Sequence, residues 1–495
     1  MRLSNRGCFF GLWQKNGNRF QTGYLDGDYE SSKLDNSSAD SFSNTSSNTD
    51  VSSDISSTEN SSSGKNETTS NNNSFQIEDL LQGTNQLPDY NLNAINLEVF
   101  NEDGRYIKVV SKASIGDFNT YANELINSGF TKYDENAINN CKFMTLINKQ
   151  TFVSMSYMAS EKKITVISEP LGDLYPRAAD NKYKSKNMQS LFTGMKNQND
   201  PIYSGMGFII RLSDGRFIII DGGGGDYNSV DSNNILNILR EQSPVGTKKP
   251  VIAAWILTHA HNDHTGAFNA FTMDFHDKVI VESFYYNFPP DGVIANKTSG
   301  FSHNEYYSQP KFYECVKKYP GAKVIRPHTG EKIYISNAVI DVMFSYESFF
   351  PDSFQNGALG DFNNSSLVLK INIDNQSMLI TGDATSSSMD IMKNMFGNYL
   401  QSDILQMAHH GQNGTVDFHS FVNPKYVLVP ISHLDENRVY KNAANKWLVN
   451  SSNVRQFISF WSQNVTIPLP YNPTNSQIYD RIPTANTKYY QYPLH

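Results

Sequence analysis

The sequence predicts an α/β (α+β) protein: a layered domain of mixed sheets, preceded by a small α+β module and a disordered segment. Three observations predict it. From Gly207 onward, short apolar strands alternate with helices, the pattern of layered α/β domains. Between Ala94 and Ser168 a shorter run reads strand, helix, then three strands. Ahead of both, 30 of the 44 residues from Ser31 to Ser74 are Ser, Asn or Thr. That tract has too little apolar surface to offset the entropy of ordering a chain.

Of 495 residues, setting the polar start aside leaves about 420 for folding, enough for one large and one small domain. The expected boundaries are a Ser/Asn-rich tether over 1–77, a module of unassigned role over 90–170, a large domain over 205–470 and a tail over 471–495. The tract holds six acidic and two basic side chains, so it carries −4 of the formal −8. The rest is close to neutral, which excludes a protein that grips nucleic acid by bulk charge. Three scattered cysteines with no CxxC pair exclude a disulfide framework and argue against a thiolate zinc site. No apolar run approaches the length of a membrane span, and Met1–Phe20 lacks the apolar core of a signal peptide. A cytoplasmic location is therefore the default, and an extracellular one stays open.

In the module, Ile95, Leu97 and Val99 alternate as in a half-buried strand. A helix follows Ser114, with Phe118, Tyr121 and Leu125 at helical spacing and Gly129 as its stop. Phe143–Ile147, Phe152–Met158 and Lys163–Ile167 are strand-like, with a turn at Asn148-Lys149. Residues 169–205 read as a polar linker or lid, and Lys182, Lys184, Lys186 and Lys196 as its solvated face. Then strands Phe208–Leu212 and Phe217–Ile220 flank a turn, a helix carries Ile235, Leu236, Ile238 and Leu239, and Val251–Leu257 is a buried strand. Further strands are expected up to Tyr426–Val429, with helices over Glu305–Lys318 and Ser387–Phe396.

The chemistry begins where Val251–Leu257 ends, in Thr258-His259-Ala260-His261-Asn262-Asp263-His264. Four metal-ligand types fall within six residues at a strand end, and imidazole with carboxylate suits Zn, Fe or Mn. Two more strand ends deliver such groups: Thr381-Gly382-Asp383, and Met407-Ala408-His409-His410-Gly411. Three such ends in one domain point to a metal cluster rather than a solvated loop.

These residues resemble the metallo-β-lactamase superfamily. His259-Ala260-His261-Asn262-Asp263-His264 matches its HxHxDH motif, and the resemblance covers about residues 205–470. It implies an αββα sandwich with two divalent metal ions at one edge, Zn first and Mn or Fe as alternatives. It further implies that His259 and His261 hold the first metal, that Asp263, His264 and His409 hold the second, and that Asp383 bridges. Asp221 matches the early Asp that orients the site. Asn363-Asn364-Ser365-Ser366-Leu367 and the two later strand ends look like the branch holding the DNA-uptake channel metallo-domain and phosphorylcholine esterase-like proteins. Asn363 stands where the family has another histidine on the first metal, and an amide is the weaker ligand.

The implied activity is that of a metal-dependent hydrolase whose bridging hydroxide attacks a phosphodiester. A single-strand nuclease of the same fold is the alternative, with nucleic acid possible and not favoured. A non-catalytic metal-binding or scaffolding protein with a degenerate first site is another. His410 is either a proton donor or a packing histidine. His276, His303 and His328 read as surface or structural. Tyr285, Tyr286, Phe288, Phe301, Tyr306 and Tyr307 either wall a pocket for a choline-like cation or pack.

Overall fold

The computed structural model describes residues 87, 97–102, 105–180, 187–196, 205–224, 230–289, 303–349, 362–430, 442–460 and 463–473. The expected tether, the tail beyond residue 473, Lys182, Lys184, Lys186 and the side chains of Phe301, His303, Tyr306 and Tyr307 lie outside them.

The first sheet has strands β1 (Leu97–Glu102), β2 (Arg105–Val110), β3 (Thr131–Ile138), β4 (Cys141–Ile147), β5 (Thr151–Met158) and β6 (Lys163–Pro170), ordered β1-β2-β6-β5-β4-β3 and antiparallel throughout. Helix α1 (Ile115–Asn127) starts in a Ser114/Asp117 capping box and packs Phe118, Tyr121 and Leu125 on one face of it. Two of these strands differ from the sequence expectation. β3, TKYDENAI, is a polar edge strand, so alternation did not reveal it. β2 buries both Arg105 and Lys108, against the usual polarity signal.

The opposite face of this sheet is closed by the rest of the chain. Ile107, Val109 and Ile167 pack on Tyr346, while Phe143 and Met158 join Met343 and Phe344. A buried ion network crosses the same boundary. Arg105 reaches Glu347 at 2.8 Å, and Arg326 reaches Glu169 at 2.7 Å. His328 sits between them, with Nδ1 3.0 Å from Glu347 and Nε2 3.4 Å from Glu169, and stacks on Phe152. His328 is thus structural, as expected for it.

The rest of the described chain is two sheets between helices. The second sheet runs β13 (Lys323–Ile325), β12 (Ser283–Tyr285), β10 (Val251–Ile256), β9 (Phe217–Asp221), β8 (Gly207–Arg211), β7 (Ser190–Gly194), β21 (Val465–Leu469), with β11 (Ile280–Val281) beside β10. The third runs β14 (Lys332–Ile335), β15 (Ala338–Phe344), β16 (Val368–Ile373), β17 (Gln376–Ile380), β18 (Ile404–Gln406), β19 (Tyr426–Val429), β20 (Gln456–Ser459). β7 lies within the expected linker 169–205. It holds a sheet position because its backbone pairs with both β8 and β21, which a short polar-flanked segment does not announce.

The layering follows from period-two side chains. Ile218 and Ile220 face the core between the sheets, with Ile340, Leu369 and Ile380 opposite them. Phe217 and Ile219 face outward, onto α2 (Val230–Gln242), α3 (Asn262–Phe275) and α4 (His303–Val316). On the far side Leu379, Leu405 and Val427 meet α5 (Ser386–Phe396), α6 (Val416–Val422) and α7 (Ala443–Asn450). Each such buried aliphatic side chain is worth roughly 1.5–3 kcal/mol. This is an αββα arrangement. β9 and β10 are parallel in one sheet, as are β17, β18 and β19 in the other. Their carboxyl ends gather at one edge, where α/β sheets place ligands.

Candidate metal centre

Every ligand-type residue sits just past a carboxyl strand end. β9 ends on Asp221, β10 runs into His259, β17 into Asp383, and β18 into His409-His410. The turn after β10 closes quickly into α3, whose first turn carries Asp263 and His264. Gly222 permits this closeness: a Cβ there would meet the Phe268 backbone nitrogen at 2.6 Å. Gly382, at φ +54°, is pressed between Thr258 and Ser366.

Two groups of metal-competent side chains result. One is Asp263, His264, Asp383 and His410; the other is His259, His261 and Asp383. Asp383 belongs to both, as expected of a bridging carboxylate. His264 Nε2 is 3.2 Å from Asp383 Oδ1. His259, His409 and His410 bring their Nε2 atoms to 3.8, 3.7 and 3.6 Å from Oδ2. Asp383 is 1% exposed, and imidazole nitrogens are the groups that surround its oxygens among the described residues. A buried carboxylate is costly unless a cation meets it. The residues therefore fit divalent metal ions.

The partners behind the ring fix the tautomers. Asp221 accepts from His264 Nδ1 at 2.8 Å, which aims Nε2 at Asp383. Thr258 donates its backbone N–H to Asp221 at 2.7 Å, and its hydroxyl lies between Asp221 and His259 Nδ1. His259 Nε2 then faces His261 Nδ1 at 3.1 Å. The carbonyl of Pro430 accepts from His410 Nδ1 at 2.9 Å, leaving Nε2 3.0 Å from Asp263. Gln406 fastens the third strand end: it accepts from Thr381 N–H at 2.7 Å and donates to the Gly382 carbonyl at 3.0 Å.

The charges are strongly coupled. Burial pushes Asp383 up, but His264, His410 and His409 outweigh it and hold the carboxyl well below its ordinary value. Burial opposes charge on His264, and Asp383, Asp221 and Asp263 reverse that, raising it well above the ordinary range. His259 is driven well down by burial and by its neighbours His264 and His261. Asp221 is raised by burial.

The structure brings His259, His261, Asp263, His264, Asp383 and His410 together, with Asp221 behind His264, and leaves His409 outside the two groups. His410, expected as a proton donor or packing residue, stands in the four-residue group. His409, expected on the second metal, lies in neither. Asn363 is buried in the turn Phe362–Ser365, beside Ser366, whose hydroxyl accepts the Asp383 N–H at 3.1 Å. Thr258, Gln406 and Pro430 were not foreseen. Thr258 directly precedes the motif and was the one within reach of sequence reasoning. Tyr285 packs between the sheets and Phe288 on Phe312, so these two are core, while Tyr286 is half-buried against Phe312 and lines a cavity with Phe152, Tyr175 and Arg326. His276 caps its own helix through the Thr272 carbonyl.

Residues 204–417 match the family described as the metallo-β-lactamase superfamily. That segment has the metallo-β-lactamase fold. Similar solved structures include the metallo-β-lactamase fold protein YhfI from Bacillus subtilis, 10% identical over 57% of this chain and 99% of that one, TM-score 0.33. Zn2+-bound PqqB from Methylobacterium extorquens is 9% identical over 56% and 99%, TM-score 0.35. CmlA, a diiron β-hydroxylase from Streptomyces venezuelae, is 10% identical over 57% and 54%, TM-score 0.34. No curated protein matches the chain in sequence. Among the described residues no helix is long and apolar enough to cross a membrane.

Proposed function

We propose that the chain is a metal-dependent hydrolase acting on a phosphodiester. The observation that carries the metal reading is Asp383: a buried carboxylate ringed by four imidazoles, the nearest nitrogen at 3.2 Å. His259, His261 and Asp383 would hold one divalent ion, and Asp263, His264, Asp383 and His410 the other. Two such ions, with zinc the first choice, supply Lewis-acid charge for phosphoryl oxygens and make water acidic near neutral pH. The protein's own part is preorganisation. Asp221 and Pro430 keep His264 and His410 in the tautomer that presents Nε2, and Gln406 holds the Asp383 turn. The phosphodiester class rests on the branch likeness of Asn363–Leu367 and the later strand ends.

The test is metal analysis of the purified chain with hydrolysis of bis-p-nitrophenyl phosphate. Wild type binds transition metal and turns over. His264→Ala loses more than the roughly 10–100-fold typical of altering a residue behind a ligand. Equal activity in the two proteins sinks the hydrolase reading. Cleavage of single-stranded DNA in preference to the small diester would move the assignment to a nuclease.

A further inference from the structure

The two groups around Asp383 are unequal. One offers four residues and the other three, while zinc and its neighbours take four ligands or more. His409 is an imidazole that belongs to neither group yet reaches the shared carboxylate. We propose that the tandem histidines divide between the two metal positions: His410 completes the Asp263–His264–Asp383 group, and His409 supplies the missing ligand beside His259 and His261. The inference rests on reading this cluster as a metal centre.

Backbone geometry separates the two side chains. His409 (φ 50°, ψ 55°) and His410 (φ 51°, ψ 31°) are consecutive left-handed residues, followed by Gly411 at φ 81°. Each non-glycine residue there costs about 1–2 kcal/mol, a strain that persists where surrounding structure enforces it. His409 N–H donates to the Gly382 carbonyl at 3.1 Å, Gln412 N–H to the His409 carbonyl at 2.7 Å, and Asn445 Nδ2 to the Gly411 carbonyl at 2.6 Å. The consequence is a pair of rings 6.0 Å apart at 60°. The two rings approach one oxygen, Asp383 Oδ2, from two directions at 3.7 and 3.6 Å.

Each ring then has its own neighbours. His410 Nε2 meets Asp263 at 3.0 Å, on the side of the four-residue group. His409 Nε2 shares Oδ2 with His259 Nε2, which stands 3.8 Å from the same atom. His409 Nδ1 lies 3.1 Å from the Asn413 side-chain amide. With the amide oxygen turned to the ring, Nδ1 donates and the Nε2 lone pair is presented to the metal, and amide orientation is free to follow this. His409 has room to complete the approach: its side chain is 17% exposed, whereas His259, His261, His264 and His410 are buried.

The test uses the full chain, stripped with chelator and titrated with Co2+ by calorimetry, with metal content after dialysis as a second readout. Wild type is expected to bind two equivalents. His409→Asn keeps a residue that tolerates left-handed backbone, and His409→Ala backs it up. Either weakens one equivalent at least tenfold and leaves the other unchanged. His259→Ala weakens the same equivalent, so the His259/His409 double variant still binds one. The His259/His410 double variant binds none. Circular dichroism and melting of the metal-free proteins establish that each variant folds. Two equivalents at wild-type affinity in both His409 variants overturn the proposal, as does loss of both in the His259/His409 pair. One equivalent in wild type overturns the division but leaves a mononuclear centre. No bound metal in wild type overturns the metal centre itself.

Discussion

Two buried clusters of histidine and carboxylate lie in this chain, and they are built differently. In the network that joins the first sheet to the large domain, each charged group meets an opposite one. Arg105 pairs with Glu347, Arg326 with Glu169, and His328 with both acids. His328 is raised well above its ordinary value, because Glu347 and Glu169 outweigh the burial that opposes its charge. Glu347 is correspondingly held down to about 2: burial pushes it up, and His328 outweighs that. Around Asp383 the bookkeeping is left open. Four imidazoles crowd one carboxylate, and imidazole nitrogens face one another at 3.1 Å across His259 and His261. A closed set of charges is a structural clamp. An open set of convergent lone pairs calls for a cation.

That contrast can be broken at several points. The largest stability effect is expected at the clamp. Arg105→Ala leaves Glu347 with one cation fewer in a buried setting and costs about 3–5 kcal/mol. Chemical denaturation checks this, and metal content of the folded protein should not change. A variant that loses metal as readily as stability would show that the two clusters are one. Next comes Asp221→Asn, which disturbs the tautomer of His264 while keeping its shape. Metal affinity should fall about 10–100-fold, read by competition with a chromophoric chelator. Unchanged affinity would remove Asp221 from the site.

The smallest effect is one of slope. Burial raises Glu331 to about 8 from an ordinary 4.5, and its Oε2 accepts the His328 N–H at 3.0 Å. A raised carboxyl gives its full stability below pH 4.5 and loses it as pH rises through about 8. Glu331→Gln removes this loss, so relative to wild type the variant gains stability between pH 5 and 8, at no more than about 1.4 kcal/mol per pH unit. Parallel stability curves would show that Glu331 keeps its charge in the fold.

The same contrast explains what could be read from the sequence. The candidate site was legible because His259, His261, Asp263 and His264 fall within six residues, and Asp383 and His409-His410 each follow an apolar strand. The ion network was not, because Arg105 and Glu347 are 242 positions apart and no local pattern links them. The layered domain was legible from period-two strands such as Phe217–Ile220. β3 and β7 were hidden, one by polar edge residues and the other by a length of five residues and a second partner, β21, that is distant in sequence. The choice between His409 and His410 rests on two consecutive left-handed residues, and backbone handedness at non-glycine positions leaves no clear trace in sequence.

One measurement tests the central claim most directly: anomalous diffraction at the zinc edge from crystals of the full chain grown with Zn2+. The account predicts strong peaks beside Asp383, within ligand distance of His259, His264 and His410, and none at the His328–Glu347 pair. No peak at Asp383, or a peak at the His328 network instead, would contradict it.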